Sequence, residues 1–340
     1  MRTADFDYDL PPERIAQRPA EPRDASRLLV LNRQTGALAH HAFRDLPRLL
    51  APGDLLVLNE TRVIPARLHA TKQATGGRVE LLLLRRAGPQ IWEAMVGGKG
   101  MRPGRRLLVE AGPSAEIIED LGGPRRLVRF DAPISPQLER LGKMPLPPYI
   151  HEPLRSPDEY QTVFARDPGS AAAPTAGLHF TQGLLNRIRR RGVRIARITL
   201  HVGLDTFAPV TEEDPSQHAI HSEWCRLPAA TAALVNATRA AGGRVVAVGT
   251  TTVRTLETAA RRAAPGETVA AIEGPTALFI LPGHTFRAVD AMLTNFHLPR
   301  STLVMMVSAF AGRERILHAY QAAKQEGYRF YSFGDAMLIT

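Results

Sequence analysis

The chain contains a single cysteine, Cys225, among 340 residues. No internal disulfide is possible, and a cysteine-ligated iron–sulfur cluster within one chain is excluded. Lysine is almost as scarce, confined to Lys72, Lys99, Lys143 and Lys324, so a net charge of +10 is carried almost wholly by arginine. No apolar run approaches the roughly 20 residues of a membrane-spanning helix. The first residues, MRTADFDYDLPPERIA, lack the apolar centre of a signal peptide, and a cytoplasmic protein without membrane association is expected. There is no GxxxxGKS/T phosphate loop. GGKGMRPG at 97–104 has the wrong spacing for a dinucleotide loop and, with Pro103 where a helix should enter, reads as a β-turn. Aromatic content of 6%, without clusters, counts against a single-strand RNA platform.

What is present is a globular composition, 44% hydrophobic, in a chain too long for one ordinary core. Residues 1–67 read as short strands, including a hairpin turning at Gly36, a brief helix at Asp45–Leu50, and a strand run through DLLVLNETRVIPARL with Pro65 as an edge or bulge. From Leu68 the texture changes to short strand-like segments separated by Gly and Pro: RVELLLLRR, QIWEAMVGG, RRLLVEAG, SAEIIEDLG and RRLVRFD. MPLPPYI then reads as an extended linker. The remainder alternates helices and strands: a helix over 182–191 stopped by Gly192, strands at VRIARITLHVG and RVVAVGT, helices at PAATAALVNATRAAGG and TTVRTLETAARR. ALFILPG and AVDAMLTNF bracket another strand region, and two final helices follow. The fold expected is a larger mixed α/β domain, residues 1–67 and 150–340, with a small antiparallel β-barrel domain inserted at 68–149.

Five places carry candidate chemistry. In RVVAVGTTTVRTLE a buried strand runs into a helix start, where free N–H groups bind anions, so Thr250, Thr251 and Arg254 are candidate binding residues; an N-cap is the plainer role for either threonine. HAIHSEW holds His218, His221 and Glu223; without a third ligand at metal spacing, an acid–base role suits one His and the Glu, and a surface loop with incidental histidines explains the same spacing. In NFHLPRST, Asn295 and His297 need partners if buried. IRRRGVRIAR gathers Arg187, Arg190 and Arg191 with three more arginines and no acid, either a solvated helix face or a phosphate-backbone contact. SAAAPTAGLHFT, with Thr175, Gly177 and His179, is nearly free of bulk and charge. It lets a backbone approach a neighbour or a ligand closely.

Together the motifs resemble one family, the S-adenosylmethionine:tRNA ribosyltransferase-isomerases of queuosine biosynthesis. The matching stretches span the chain: FDYDLPPERIAQRPAEPRDASRLLV, LNETRVIPARL, MPLPPYI, YQTVFARDPGSAAAPTAGLHFT, TLHVGLDTFAPV, HAIHSEW, VGTTTVRTLE, LTNFHLPRSTLVMMVSAFAG and YRFYSFGDAMLI. The resemblance implies transfer and isomerisation of the ribosyl moiety of S-adenosylmethionine onto 7-aminomethyl-7-deazaguanine at the tRNA wobble position. Epoxyqueuosine is formed, and adenine and methionine are released. It implies tRNAs with GUN anticodons (Tyr, His, Asn, Asp) as partners, no metal or redox cofactor, no obligate protein partner, and a monomer.

Such a reaction needs a base beside the sulfonium and a donor for departing adenine, which histidine and carboxylate side chains suit. His221 and Glu223, with His201, His179 or His297 opposite, are the expected set. APTAGLHF is expected against S-adenosylmethionine or the flipped-out base, and the 182–191 arginines against the tRNA backbone. An RNA methyltransferase and a non-catalytic RNA-binding protein are the rival readings. Three positions depart from the family pattern: Asp205 where Gly is usual, Ile220 for a common Met, and His284 for a common Tyr.

Overall fold

The structure, a computed structural model, describes residues 1–203 and 209–340; Asp205 lies outside the described residues. The chain forms two compact units. One comprises Met1–Thr61, Pro148–Asp167 and Ala173–Thr340, the other Arg62–Pro147 with Pro168–Ala172.

The larger unit is built on a nine-stranded sheet. Its strand order is Ile272–Thr276, Glu223–Leu227, Arg194–Leu200, Leu55–Asn59, Val245–Val248, Ala291–Asn295, Ala336–Ile339, Arg27–Leu31 and Leu38–Ala42. The four strands from Arg194–Leu200 to Ala291–Asn295 run parallel, and antiparallel pairs flank them on both sides. LLVL, up to Asn59, and VVAV are unbroken apolar runs because parallel strands are covered on both faces. On one face Leu56, Leu58, Val246, Val248 and Leu293 pack against Leu184, Leu185 and Ile188 of helix Gln182–Arg190. Each such side chain, buried, stabilises by roughly 1.5–3 kcal/mol. Thr181 caps that helix by accepting the Leu184 N–H at 3.1 Å, while Arg187, Arg189, Arg190 and Arg191 stay on its exposed side.

Helix Thr250–Ala260 is buried along its whole length despite five threonines. It tolerates this because Thr252, Thr255 and Thr258 donate their hydroxyls to the carbonyls of Val248, Thr251 and Arg254, at 2.7, 3.0 and 2.7 Å.

The smaller unit is a closed six-stranded antiparallel barrel: Arg125–Phe130, Ile91–Val96, Arg78–Arg86, Arg67–Lys72, Arg106–Val109 and Ser114–Asp120. Val79, Leu81 and Leu83, with Leu107, Val109, Ile117, Val128 and Phe130, are buried by strand alternation. Closure leaves no free strand edge.

The local differences from the sequence reading have physical causes. DLLVLNETRVIPARL is split into Leu55–Asn59, Thr61–Val63 and Arg67–Lys72, and the last piece is a barrel stave. ALFILPG is not a strand: Leu278 and Ile280 are buried as anchors of an irregular segment, and the strand falls on Ile272–Thr276 before it. Ala336–Ile339 is a central strand that its four apolar residues do not announce. Among the described residues no helix is long and apolar enough to cross a membrane.

Candidate active site

The carboxyl ends of parallel strands are where open α/β sheets take their ligands. Here they open onto a cleft of about 580 Å³, part of it open to solvent. Val202 follows one strand, Gly249, Thr250 and Thr251 another, and Thr294 to Leu298 a third; Ala173 to Ala176, Tyr149, Ser301, Tyr331 and Ser332 complete the lining. Among the described residues none of the lining side chains is an acid, a lysine or an arginine.

Asn59, at the end of its strand, holds three strand ends together. Its side chain accepts the N–H groups of Thr61 and Leu200 (3.1 and 3.0 Å) and donates to the Leu200 carbonyl and the Thr251 hydroxyl (3.0 and 3.2 Å). That fixes the first turn of helix Thr250–Ala260. The backbone N–H groups of Thr250 and Thr251 and the Thr250 hydroxyl have no partner among the described residues, so the turn offers the cleft a cluster of donors.

Asn295 is the opposite anchor. It accepts the Thr175 hydroxyl at 2.9 Å and donates to the Tyr331 carbonyl at 3.1 Å, with His179 Nε2 at 3.3 Å. His179 Nδ1 lies 2.8 Å from Ser26, and its ring stacks on Phe43 at 4.9 Å. Burial, with Arg329 and Arg23 adding to it, holds the His179 imidazole down at about 3, so it is neutral. His179 thus stands behind the cleft wall and positions Asn295; the acid–base role expected of it does not fit a sealed ring with both nitrogens engaged.

His297 does line the cleft. Its Nε2 meets the Thr294 hydroxyl at 2.7 Å, and Nδ1 has no partner among the described residues. Its backbone is pinned on both sides: the N–H donates to the Tyr320 hydroxyl at 3.0 Å, and the carbonyl accepts the Tyr8 hydroxyl. Burial pushes its pKa down to about 3 as well.

The other expected residues separate. Glu223 is 4% exposed and ion-paired with Arg254, itself 3% exposed. It also accepts the Gly203 N–H at 2.9 Å and faces His221 Nε2 at 3.3 Å. Burial alone would raise the Glu223 pKa, but Arg254, His221 and the Gly203 amide outweigh it and hold it at about 2. Such a carboxylate is a poor proton carrier, which corrects its expected catalytic role. Arg254 is also spent internally, donating to the carbonyls of Leu278 (3.1 Å) and Thr276 (3.4 Å); it does not offer itself to a ligand as expected.

His201 falls on the other face of its hairpin. The pairing that sets Leu200 opposite Cys225 places His201 beside Trp224, with rings stacked at 5.1 Å, and alternation turns Glu223 the opposite way. His201 Nδ1 lies 2.8 Å from the Thr61 hydroxyl, and burial lowers its pKa against the pull of Asp167. His218 pairs with Glu212 at 2.9 Å rather than with His221. His284 faces Glu257 at 3.3 Å.

Gly177 is a packing position. A Cβ there would come within 2.8 Å of Phe164 and 2.9 Å of Thr162, both side-chain contacts, whereas Thr175 and its neighbours line the cleft. Of the exposed arginines, Arg187 reaches Asp24 at 3.4 Å, while Arg190 and Arg191 have no acidic partner among the described residues. The sequence reading missed Asn59, Tyr8, Tyr149, Tyr331 and Ser332. All lie in the family-like motifs, but an asparagine after an apolar run and tyrosines in linkers carry no signal of their own.

Comparisons place this geometry among known proteins. The family model described as "Queuosine biosynthesis protein" matches residues 3–339. The chain is 57% identical over 343 residues to a Symbiobacterium thermophilum protein and 52% identical over 343 residues to one from Staphylococcus epidermidis, covering 100% of both chains in each case. Both carry the name S-adenosylmethionine:tRNA ribosyltransferase-isomerase. The solved structure of S-adenosylmethionine tRNA ribosyltransferase from Thermotoga maritima is 40% identical, with a TM-score of 0.58, covering 99% of this chain and 100% of that one.

Proposed function

Because the chain belongs to the queuosine biosynthesis family, and so to the S-adenosylmethionine:tRNA ribosyltransferase-isomerases that act on tRNA, we propose that its cleft transfers the ribosyl part of S-adenosylmethionine to 7-aminomethyl-7-deazaguanine at the wobble position. The transferred group closes to an epoxycyclopentane, giving epoxyqueuosine, as adenine and methionine leave. The tRNA substrates are those with GUN anticodons, no metal or redox cofactor takes part, and the enzyme works in the cytoplasm as a monomer without an obligate protein partner.

The observation that carries this reading is the cleft itself: without formal charge among its described lining side chains, rich in hydrogen-bonding groups, and set at the ends of the parallel strands. A sulfonium meets no cation among the described lining side chains. The amide cluster at Thr250 and Thr251 suits the carboxylate of the methionine portion. His297, neutral because buried, acts as a hydrogen-bond donor to departing adenine rather than as a base; a Thr294 hydroxyl donating to Nε2 leaves the Nδ1 proton for that task. His221, backed by the Glu223 carboxylate, has the chemistry of the base that takes the proton beside sulfur. Arg190 and Arg191 supply phosphate contacts to the tRNA backbone.

The test is product identity. The purified protein, S-adenosylmethionine and tRNA bearing 7-aminomethyl-7-deazaguanine should yield adenine, methionine and a nucleoside heavier by the epoxycyclopentane. S-adenosylhomocysteine as product would make it a methyltransferase. His297→Gln should lower kcat by about 10²–10⁴ with substrate affinity kept; unchanged turnover removes His297 from the chemistry.

A further inference from the structure

One wall of the cleft is held in a backbone conformation that tyrosine rarely adopts. Tyr331 has φ +69°, a left-handed value at which a bulky side chain is disfavoured. Such a residue persists only where its surroundings over-determine it, and it clusters at functional sites. Here they do so. The Tyr331 N–H donates to the Phe296 carbonyl at 3.1 Å, and its own carbonyl accepts both Asn295 Nδ2 (3.1 Å) and the Gly334 N–H (3.0 Å). The turn closes only with glycine at 334, where a Cβ would lie 2.5 Å from the backbone of Arg329 and Phe330. Asp335 then fastens the exit, accepting the N–H groups of Arg27 and Arg329 at 2.8 Å each.

The ring so presented does not join the packed cluster of Phe296, Tyr320, Tyr328 and Phe330. Its aromatic neighbour is Tyr149, with centroids 4.8 Å apart and planes tilted by 56°. Tyr149 is held in turn by Ser332, hydroxyl to hydroxyl at 2.7 Å, and both tyrosines line the cleft. A core filler would need no strained turn to hold it. A flat, fixed surface inside a cleft is what a heterocycle stacks on, and stacking accepts any base because every base has a π-face.

We propose that Tyr331, buttressed by Tyr149, is the stacking wall for a planar nitrogen heterocycle bound in the cleft. This rests on the cleft being the substrate site. Two substrates bring such a ring, the adenine of S-adenosylmethionine and the deazaguanine of tRNA, and the experiment separates them.

The probes are 5′-methylthioadenosine and free 7-aminomethyl-7-deazaguanine, bound to the full-length protein and followed by NMR and calorimetry. In the unaltered protein the ring protons of one probe should move upfield on binding, the mark of a stacked aromatic neighbour. Tyr331→Phe should keep that probe's affinity within about twofold, and Tyr331→Leu should weaken it roughly tenfold or more while sparing the other. The responding probe identifies which ring is stacked. Three results overturn the proposal: no upfield shift for either probe, equal affinities in Tyr331→Leu and the parent, or a Phe variant as impaired as the Leu variant. The product assay above decides the reaction independently, since neither probe is turned over.

Discussion

Glu93 of the barrel and Glu223 of the α/β unit are both buried carboxylates, and the two are handled in opposite ways. In the barrel, Glu93 is 4% exposed but is held by Arg85 at 3.1 Å and Arg125, whose side chains remain 65% and 45% exposed. In the α/β unit, Glu223 is held by Arg254, whose side chain is 4% exposed. The first arrangement lets water share the charges. The second removes both partners from water, which costs more than the attraction alone returns unless other bonds complete the shell. Those bonds are present: two carbonyls on the guanidinium, and an amide and an imidazole on the carboxylate. The teaching is that Glu223 and Arg254 form a frame. Arg254 lies one turn beyond the threonines of the cleft, and Val202, facing the cleft, follows the same pleat as Glu223.

The largest effect should come from breaking that frame. Glu223→Gln leaves a buried guanidinium without its counter-ion and should lower unfolding free energy by about 3–5 kcal/mol. Glu93→Gln, whose arginines stay solvated, should cost about 1 kcal/mol or less. Urea denaturation of the two variants checks the contrast, and equal losses would erase it.

Acid should sharpen the difference next. The buried histidines His179 and His297 both belong to the α/β unit, and burial holds each near 3 against an ordinary 6.5. Between those values the unfolded chain binds protons that the folded chain does not. Their contribution is therefore complete above pH 6.5 and falls as pH drops toward 3, by up to about 1.4 kcal/mol per pH unit for each. Glu223, held near 2 against 4.5, adds its loss only below about 4.5. Denaturation between pH 7 and 5 should show the histidine slope, to which His201 adds in the same direction, and His297→Gln should visibly flatten it.

The smallest structural effect lies with the arginines that have no acidic partner among the described residues. Arg190→Ala with Arg191→Ala should leave stability within about 0.5 kcal/mol. It should weaken tRNA binding and reduce the salt slope by roughly 0.9 for each phosphate no longer neutralised. An unchanged slope would place the tRNA elsewhere.

The sequence announced the architecture well where periodicity was long. The barrel strands after Leu68 and helix Gln182–Arg190 stand where alternation and the Gly192 stop placed them. Helix Thr250–Ala260 was legible from its strand-to-helix entry, although its complete burial depends on hydroxyls folding back on their own carbonyls. The site was legible as a set of segments, with Thr175, Thr250, Thr251, Asn295 and His297 all at the cleft. Roles were not. His201 and Glu223 sit in adjacent motifs, yet the pleat sends them to opposite faces, a fact fixed by strand register that no single segment contains. Arg254 looked like an anion ligand until its partner, 31 residues away, filled its hydrogen bonds. Tyr149 looked like linker because its contacts, Tyr331 and Ser332, come from the far end of the sequence.

That far end bears on how the protein is made. Strand Ala336–Ile339 lies between Ala291–Asn295 and Arg27–Leu31, so the early hairpin Arg27–Ala42 meets its neighbour only through a late one. During synthesis the hairpin leaves the ribosome long before the strand that joins it to the sheet exists. Until then its inner edge is an open template for wrong partners. The other strand, with His40 exposed and His41 half-buried, is poor in apolar grip. Translation order thus makes Ala336–Ile339 the keystone, and ribosome-stalled chains lacking it should hold the N-terminal hairpin undocked.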